Sequence, residues 1–496
     1  MGTLRRILRD EGAAASPAAI SAITPTSEPA SATAGNSAGV RSVIPALPCR
    51  NATTPGRGES YSAPVTNSAP TAPTADAPPR GDHDYSLEPV PLSARRGFWA
   101  VGFVMLGFTF FSASMSVGAR LGNGLDLTGF LAATTIGGLI LAAYTGTLGY
   151  IGARTGMSMD LLAQRAFGAT GSLLPSALIA LTQMGWFGVG VAMFALPTGD
   201  LLGIGPWPIV IIAGALMTAS AYYGIRAIEI VSFVSVPLIA VLGTYSMIAA
   251  TTDGGGLAEV FAASSGMPLV MGIGLVMGSF VSGGTATPNF TRFARSPRIA
   301  VITTVVAFLL GNALMFGFGA VGGAFTGQED IFYVMIAQGL AIPALIVLGA
   351  NIWTTNNNAL YTTGLGFANV TKIDKRPLVL VAGAVGTLSA LWLYDNFVVW
   401  LNVLNATLPP IGAILIADFL RHRRAYVGTA AEGSARRAGL AWGSVLGVVV
   451  GGLVGWFVPL GIASINAMVV AVACYLLGDL LTGRPDEAAA PERLSA

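Results

Sequence analysis

From Arg95 to Leu481 the sequence is a succession of long apolar runs separated by short polar connections. A helix needs roughly 20 consecutive apolar residues to cross a bilayer. Twelve runs of about that length stand out. The first five are Gly97–Val117, Leu127–Tyr150, Leu173–Pro197, Trp207–Tyr223 and Ile228–Ala250. The next five are Pro268–Phe290, Ile299–Gly322, Tyr333–Trp353, Leu378–Tyr394 and Phe397–Phe419, and the last two are Leu440–Phe457 and Ile462–Leu481. Composition agrees: 53% of residues are hydrophobic and 10% charged, against about 25% charged in a soluble domain. Mean hydropathy is +0.69. The expectation is an all-α integral membrane protein of about twelve transmembrane helices, occupying residues 86–483.

The connections alternate in charge. Arg95 and Arg96 precede the first run, and Arg154, Arg165, Arg226, Arg292, Arg295, Arg298, Lys372, Lys375, Arg376, Arg421, Arg423, Arg424, Arg436 and Arg437 follow even-numbered ones. The other connections hold Asp126, Asp200, Asp253, Glu259, Glu329, Asp330 and Asp395, with Arg120 their basic exception. Lys and Arg mark the cytoplasmic side. Both termini are therefore expected in the cytoplasm of a multi-pass cell-membrane protein. Glu229 and Asp418, near helix ends, are expected to face that interface.

Residues 1–85 are rich in Ala, Ser, Thr and Pro and cannot bury enough apolar surface to fold. They are read as a disordered tail without a signal-type apolar core. Residues 484–496 are read as a second one. Cys49 in the polar leader and Cys474 in an apolar run are an improbable disulfide pair. Two histidines, His83 and His422, leave little material for zinc sites or Ser-His-Asp catalysis. A net charge of +2 gives no nucleic-acid footprint. No obligate protein partner and no cofactor are implied.

Two runs are poorly suited to continuous helices. The first contains GFTFFSASMSVG, Gly107 to Gly118, and the sixth GSFVSGGTATPN, Gly278 to Asn289, with Gly283-Gly284 inside it and Pro288 beyond. Glycine permits non-helical backbone and proline removes a donor. Unwound backbone at membrane depth is tolerated where it lines a cavity. Breaks in the first and sixth runs fit a five-plus-five inverted repeat with a site at its interface; the alternative is that the glycines serve close helix packing. In the eighth run Asn351, Thr354 and Thr355 share one helix face. With carbonyls from the first break, such as those of Gly107 and Phe110, they would make a neutral oxygen cage for Na⁺. The same hydroxyls could instead bond their own helix. In the third run Gln183 and Trp186 share a face, where an amide beside a broad ring suits a planar polar ligand such as a nucleobase. Phe280 could close the other side, with Ser279 and Ser282 nearby. The plainer alternatives are an interhelical hydrogen bond for Gln183 and an interfacial anchor for Trp186. No acidic residue lies near the centre of a run, which favours Na⁺ over proton coupling.

The stretches PVPLSARRG, FVMLGFTFFSASM, LGYIGARTG, TQMGWFGVGVAMFALP, VMGSFVSGGT, NIWTTNNNALYTTGLGFANVT and ALWLYDNF are collinear from about Glu88 to Leu481. Through them the chain resembles the nucleobase:cation symporter-1 family. The resemblance implies twelve helices in a leucine-transporter-type fold, with helices 1–5 and 6–10 as inverted repeats and helices 1 and 6 broken. It implies that Trp186 and Phe280 sandwich a base whose edge meets Gln183, Ser279, Ser282 and Asn356. Gly107, Phe110 and Asn351 would give carbonyls to Na⁺, and Thr354 and Thr355 hydroxyls. The implied activity is Na⁺-coupled import of cytosine by alternating access. Within the class, the alternatives are a purine, uracil, allantoin, hydantoin or thiamine, or proton coupling. Outside it stand a membrane-embedded enzyme such as a deaminase, for which the core lacks metal ligands, and a nutrient sensor. The chain departs from the family at Arg120, at Asn357 where an acid is expected, and at Glu229 where an apolar residue is.

Overall fold

The computed structural model describes residue 85 and residues 88–482, apart from 224, 263–265 and 427–438; the side chains of 225–236 and 398 are also outside the description. Apart from Tyr85, the expected tails at 1–85 and 484–496 therefore lie outside the described residues, as do Cys49, His83, Arg436, Arg437 and the side chains of Arg226 and Glu229.

Among the described residues, each of the twelve apolar runs contains helix. Span 1 is two helices, Phe98–Thr109 and Ser112–Gly124, bent by 49° at Phe110-Phe111. Span 2 is Leu127–Thr155, span 3 Leu173–Leu202, span 4 Pro206–Tyr222 and span 5 Ile225–Asp253. Span 6 is Leu269–Thr285 followed by the turn Pro288–Thr291, and span 7 runs from Pro297–Val305 through a wide π-helical turn, Val306–Gly311, into Asn312–Thr326. Span 8 is Ala341–Thr371. Span 9 is Lys375–Leu388 with Ala390–Asp395, and span 10 is Phe397–Thr407 with Pro409–Arg421. Trp442–Phe457 and Ala463–Thr482 are spans 11 and 12.

Local chemistry sets several ends. Asp126 accepts from Gly129 N at 2.8 Å to cap span 2, and Ser296 caps span 7 through Ile299 N at 3.3 Å. Gly156 closes span 2 with φ +73°, a left-handed cap that favours glycine. Pro409-Pro410 interrupts span 10, because proline withholds a donor and clashes with the preceding turn.

The expected interruption of span 1 occurs; span 6 carries only a slight one, later than its glycines suggest, and runs on as one span over Leu269–Thr291. The helix continues through Gly283-Gly284 to Thr285, and Ala286-Thr287 forms the turn. The glycines serve space instead: a Cβ on Gly283 would stand 2.6 Å from the Phe280 ring and 2.9 Å from that of Phe108. The break in span 1 is sharper. Phe110 at ψ 79° and Phe111 at φ −122°, ψ 130° leave the helical region, so nearby carbonyls lose helical partners at membrane depth.

Span 1's second helix lies against span 7 at glycine distance. Cβ atoms on Gly118 and Gly122 would meet the carbonyls of Phe316 and Ala320 at 2.3 and 2.2 Å, and one on Gly319 would meet Met115 O at 1.7 Å. Such contact maximises dispersion where lipid offers no hydrophobic gain.

Two polar assemblies frame the bundle. On the side of the basic connections, Arg292 is fully buried; it donates to Tyr85 O at 2.7 Å, Tyr361 Oη at 3.0 Å and Asn289 O at 3.2 Å. On the side of the acidic connections, Asp330 accepts from Tyr394 Oη at 2.8 Å and Asp200 from Tyr333 Oη at 2.6 Å. Asp418 does not face an interface: it is fully buried and accepts hydrogen bonds from Tyr426 and Tyr475. Tyr426 follows eight residues later, whereas Tyr475 comes from span 12.

Candidate functional site

The central cavity lies where spans 1, 3, 6 and 8 meet. Its lining is Phe108 and Phe111 of span 1, Gln183 and Trp186 of span 3, Ser279, Phe280, Ser282 and Gly283 of span 6, and Thr355, Asn356 and Ala359 of span 8. The side chains close in on it, leaving a water-sized void of about 10 Å³. All six residues singled out in the sequence for a planar ligand, Gln183, Trp186, Ser279, Phe280, Ser282 and Asn356, line this cavity.

Two aromatic groups form its walls. Trp186 meets Phe111 edge-on at 5.6 Å and 75°, and Phe397 at 5.8 Å and 76°. Phe280 meets Phe108 at 5.3 Å and 82°, and Phe308 at 5.3 Å and 85°. Each edge-to-face pair contributes about 0.5–1.5 kcal/mol beyond area burial, and together they fix the ring planes. Trp186 Nε1 donates to Ser282 Oγ at 2.8 Å, joining spans 3 and 6. Ser279 Oγ returns to Val276 O of its own helix at 2.8 Å.

Among the described residues, two polar atoms of the lining have no hydrogen-bond partner. Gln183 is 2% exposed, and its Nε2 has no hydrogen-bond acceptor. Asn356 is fully buried; its Nδ2 donates to Phe187 O and reaches Met217 Sδ, each at 3.2 Å, while Oδ1 has no donor. Gly190 makes the room for that amide, since a Cβ there would stand 2.4 Å from Asn356 Oδ1. A buried polar atom left unpaired costs about 1–3 kcal/mol. One free donor and one free acceptor between aromatic walls suit a flat heterocycle that presents both.

Beside this cavity, the break in span 1 faces span 8. Asn351 Nδ2 donates to Phe110 O, and Ser112 Oγ donates to Asn351 Oδ1 at 2.8 Å. Thr355 Oγ1 reaches Gly107 O at 3.4 Å and Asn351 O at 3.3 Å. Thr354 bonds Ala350 O, one turn back, at 3.2 Å. Gly107, Phe110, Asn351 and Thr355 are thus joined by hydrogen bonds of this cluster, and Phe110 supplies the carbonyl that faces Asn351. Oxygen donors without net charge are the chemistry a small hard cation accepts. Among the described residues there is no group of three or more His, Cys, Asp and Glu side chains placed to hold a metal.

Sequence reasoning missed Phe108, Phe111, Gly283 and Ala359 as lining residues, and it missed that Thr355 reaches the cavity. Phe108 and Phe111 fall on opposite sides of the break, so no helical spacing relates them.

Asp160 was also passed over. It lies in the short helix Met159–Ala166, between spans 2 and 3, and is 2% exposed. Burial pushes its carboxyl up to about 6; the Ser176 hydroxyl and the Arg292 and Lys372 charges oppose that rise. The bonds around it tie four elements together: Met159 N to Asn289 Oδ1 at 2.8 Å, Gln164 to Asn369, and Asn369 Nδ2 to Ser176 Oγ at 2.8 Å.

With this geometry in place, known proteins are informative. The sequence pattern of a family described as permeases for cytosine/purines, uracil, thiamine and allantoin matches residues 89–478. The cytosine permease of Escherichia coli (strain K12) is 48% identical over 410 residues, covering 82% of this chain and 97% of that protein. The hydantoin permease of Microbacterium maritypicum is 27% identical over 305 residues, covering 55% of this chain and 62% of that one. Among solved structures, Mhp1, a nucleobase-cation-symport-1 family transporter in a closed conformation with bromovinylhydantoin bound, superposes with a TM-score of 0.67 at 20% identity, covering 79% of this chain and 94% of that one.

Proposed function

Because the chain belongs to the permease family for cytosine, purines, uracil, thiamine and allantoin, and is a transporter rather than an enzyme, we propose that its own cargo is cytosine, carried inward with Na⁺ by alternating access. The observation that supports this most directly is the pair of unpartnered atoms, Gln183 Nε2 and Asn356 Oδ1, in a cavity walled by Trp186 and Phe280. Cytosine presents an exocyclic amine as donor beside ring nitrogen and carbonyl acceptors. Gln183 Nε2 donates to one of those acceptors, and Asn356 Oδ1 accepts from the amine. The 48% identity to a cytosine permease supports the same cargo.

Na⁺ binds, in this reading, among the carbonyls of Gly107, Phe110 and Asn351 and the hydroxyls of Thr354 and Thr355. The ion bridges the broken first span to the eighth. Thr355 also lines the cavity, so ion and base share one residue. Binding of one ligand then favours the arrangement the other needs, which is the thermodynamic content of coupling. The basic connections face the cytoplasm of the cell membrane and the acidic ones face outside.

Uptake of radiolabelled cytosine into proteoliposomes, with and without an inward Na⁺ gradient, tests the proposal. Accumulation that depends on the gradient is expected. Equal uptake without Na⁺ overturns the coupling, and competition by uracil, adenine or a hydantoin at lower concentration than cytosine overturns the cargo.

A further inference from the structure

Arg120 is the one basic residue in the acidic connections and a departure from the family resemblance. It stands in the second helix of span 1, three turns beyond the break. Its guanidinium carbon lies 5.2 Å from the centroid of the Phe397 ring, and Phe397, at the start of span 10, packs edge-on against the cavity wall residue Trp186. Phe397 is 7% exposed. Arg120, Phe397 and Trp186 therefore form a column from the acidic side of the bundle down to the cavity.

The charge of Arg120 also reaches the Asp330–Tyr394 pair, while its direct ion pair is weak. Glu329 Oε2 stands 3.1 Å from its Nε, but the glutamate side chain is 62% exposed. An ion pair so open to solvent contributes little, and Nε and Nη1 are buried without a hydrogen bond of ordinary geometry. A guanidinium over a desolvated ring is the stronger contact. Three residues earlier, Tyr394 is tied to Asp330 at 2.8 Å, so both ends of the turn that opens span 10 are held.

We propose that Arg120 is a positioning residue for transport: by capping Phe397 it holds the start of span 10 down on Trp186 and keeps the cavity closed toward the acidic side. The site it closes is the one assigned to cargo above, and the proposal rests on that reading for its effect on cytosine. Its effect on span 10 needs no cargo.

The test pairs a cargo-free and a cargo-bound measurement on the full chain in detergent or nanodiscs. In ligand-free protein, backbone hydrogen exchange across residues 394–408 rises in Arg120→Gln and stays within about twofold of wild type in Arg120→Lys, which keeps a cation over the ring, and in Glu329→Gln. With radiolabelled cytosine bound, Arg120→Gln releases it about tenfold faster, the equivalent of a cation–π contact of 1–2 kcal/mol. Unchanged exchange at 394–408 in Arg120→Gln overturns the proposal. So does a Glu329→Gln or Arg120→Lys protein that exchanges as fast as Arg120→Gln. A wild-type protein that does not bind cytosine removes the cargo assignment, while the exchange result still decides the role of Arg120.

Discussion

Trp186 Nε1 donates to Ser282 Oγ at 2.8 Å, so one indole both walls the cavity and ties the third span to the sixth. Removal of the ring takes away stacking worth about 1–3 kcal/mol. Trp186→Ala is expected to weaken cytosine binding by about 10- to 100-fold. Trp186→Phe keeps a ring but strands the Ser282 hydroxyl, and an intermediate loss is expected. Equilibrium binding of labelled cytosine checks both; near-normal affinity in Trp186→Ala removes the stacking role.

Thr355 is the residue common to the cavity and to the hydrogen-bonded cluster proposed above for Na⁺. Thr355→Val preserves shape and deletes the hydroxyl that reaches Gly107 O and Asn351 O. The apparent Na⁺ affinity for uptake is expected to fall by about tenfold, the effect of one lost hydrogen bond or ligand of about 1.4 kcal/mol. Initial uptake rates over a Na⁺ series at fixed cytosine report it.

Gly283 has no space for a side chain. A Cβ there meets Phe280 at 2.6 Å and Phe108 at 2.9 Å, so Gly283→Ala pushes one cavity wall inward. We expect retained folding, judged by size-exclusion elution, with cytosine uptake reduced at least about tenfold. A variant with normal uptake would show that the wall gives way at little cost.

Asp160 gives a pH signature. Its carboxyl is pushed up to about 6 by burial, above the ordinary value near 3.9 for an exposed Asp. The folded protein therefore holds this proton where the unfolded chain has released it. Its contribution to stability is present below about pH 4 and is lost as pH rises through about 6. Relative to Asp160→Asn, the wild type is expected to gain thermal stability as pH falls from 7 to 5. Melting curves of both proteins across that range check the sign, and parallel curves would refute it.

Arg292 supports the same region. Arg292→Met leaves the Tyr85 carbonyl and the Tyr361 hydroxyl without their donor and removes a favourable charge from Asp160. Loss of a buried, hydrogen-bonded charge costs about 3–5 kcal/mol. A clear drop in melting temperature at pH 7 is expected, with a smaller one at pH 5, where Asp160 carries its proton.

The legible part of the molecule was whatever lipid dictates. Apolar length located twelve spans, and the glycine and serine richness of Gly107–Gly118 located a real break. The sixth span shows the limit. Gly283-Gly284 looked like a hinge but remains helical: Gly283 answers to the rings of Phe108 and Phe280, and Gly284 to Thr145 of span 2, rather than to backbone freedom. Gln183 and Trp186 could be paired by helical spacing within one span. Phe108 and Phe111 could not, since the break between them cancels the period. Asp160 escaped notice because it sits in a connection, where charge normally means solvent; Ser176 belongs to the next span, and Arg292 and Lys372, whose charges act on it, lie far away in sequence.

The contact between the second helix of span 1 and span 7 has a mechanical consequence. With Met115 O against Gly319 and the Phe316 and Ala320 carbonyls against Gly118 and Gly122, the two helices meet backbone to backbone, with no side chain between them to give way. The two helices are therefore expected to move as one body, with Arg120 at the end farther from the Phe110-Phe111 bend. At the other end, Ser112 Oγ donates to Asn351 Oδ1 at 2.8 Å, which joins that body to span 8.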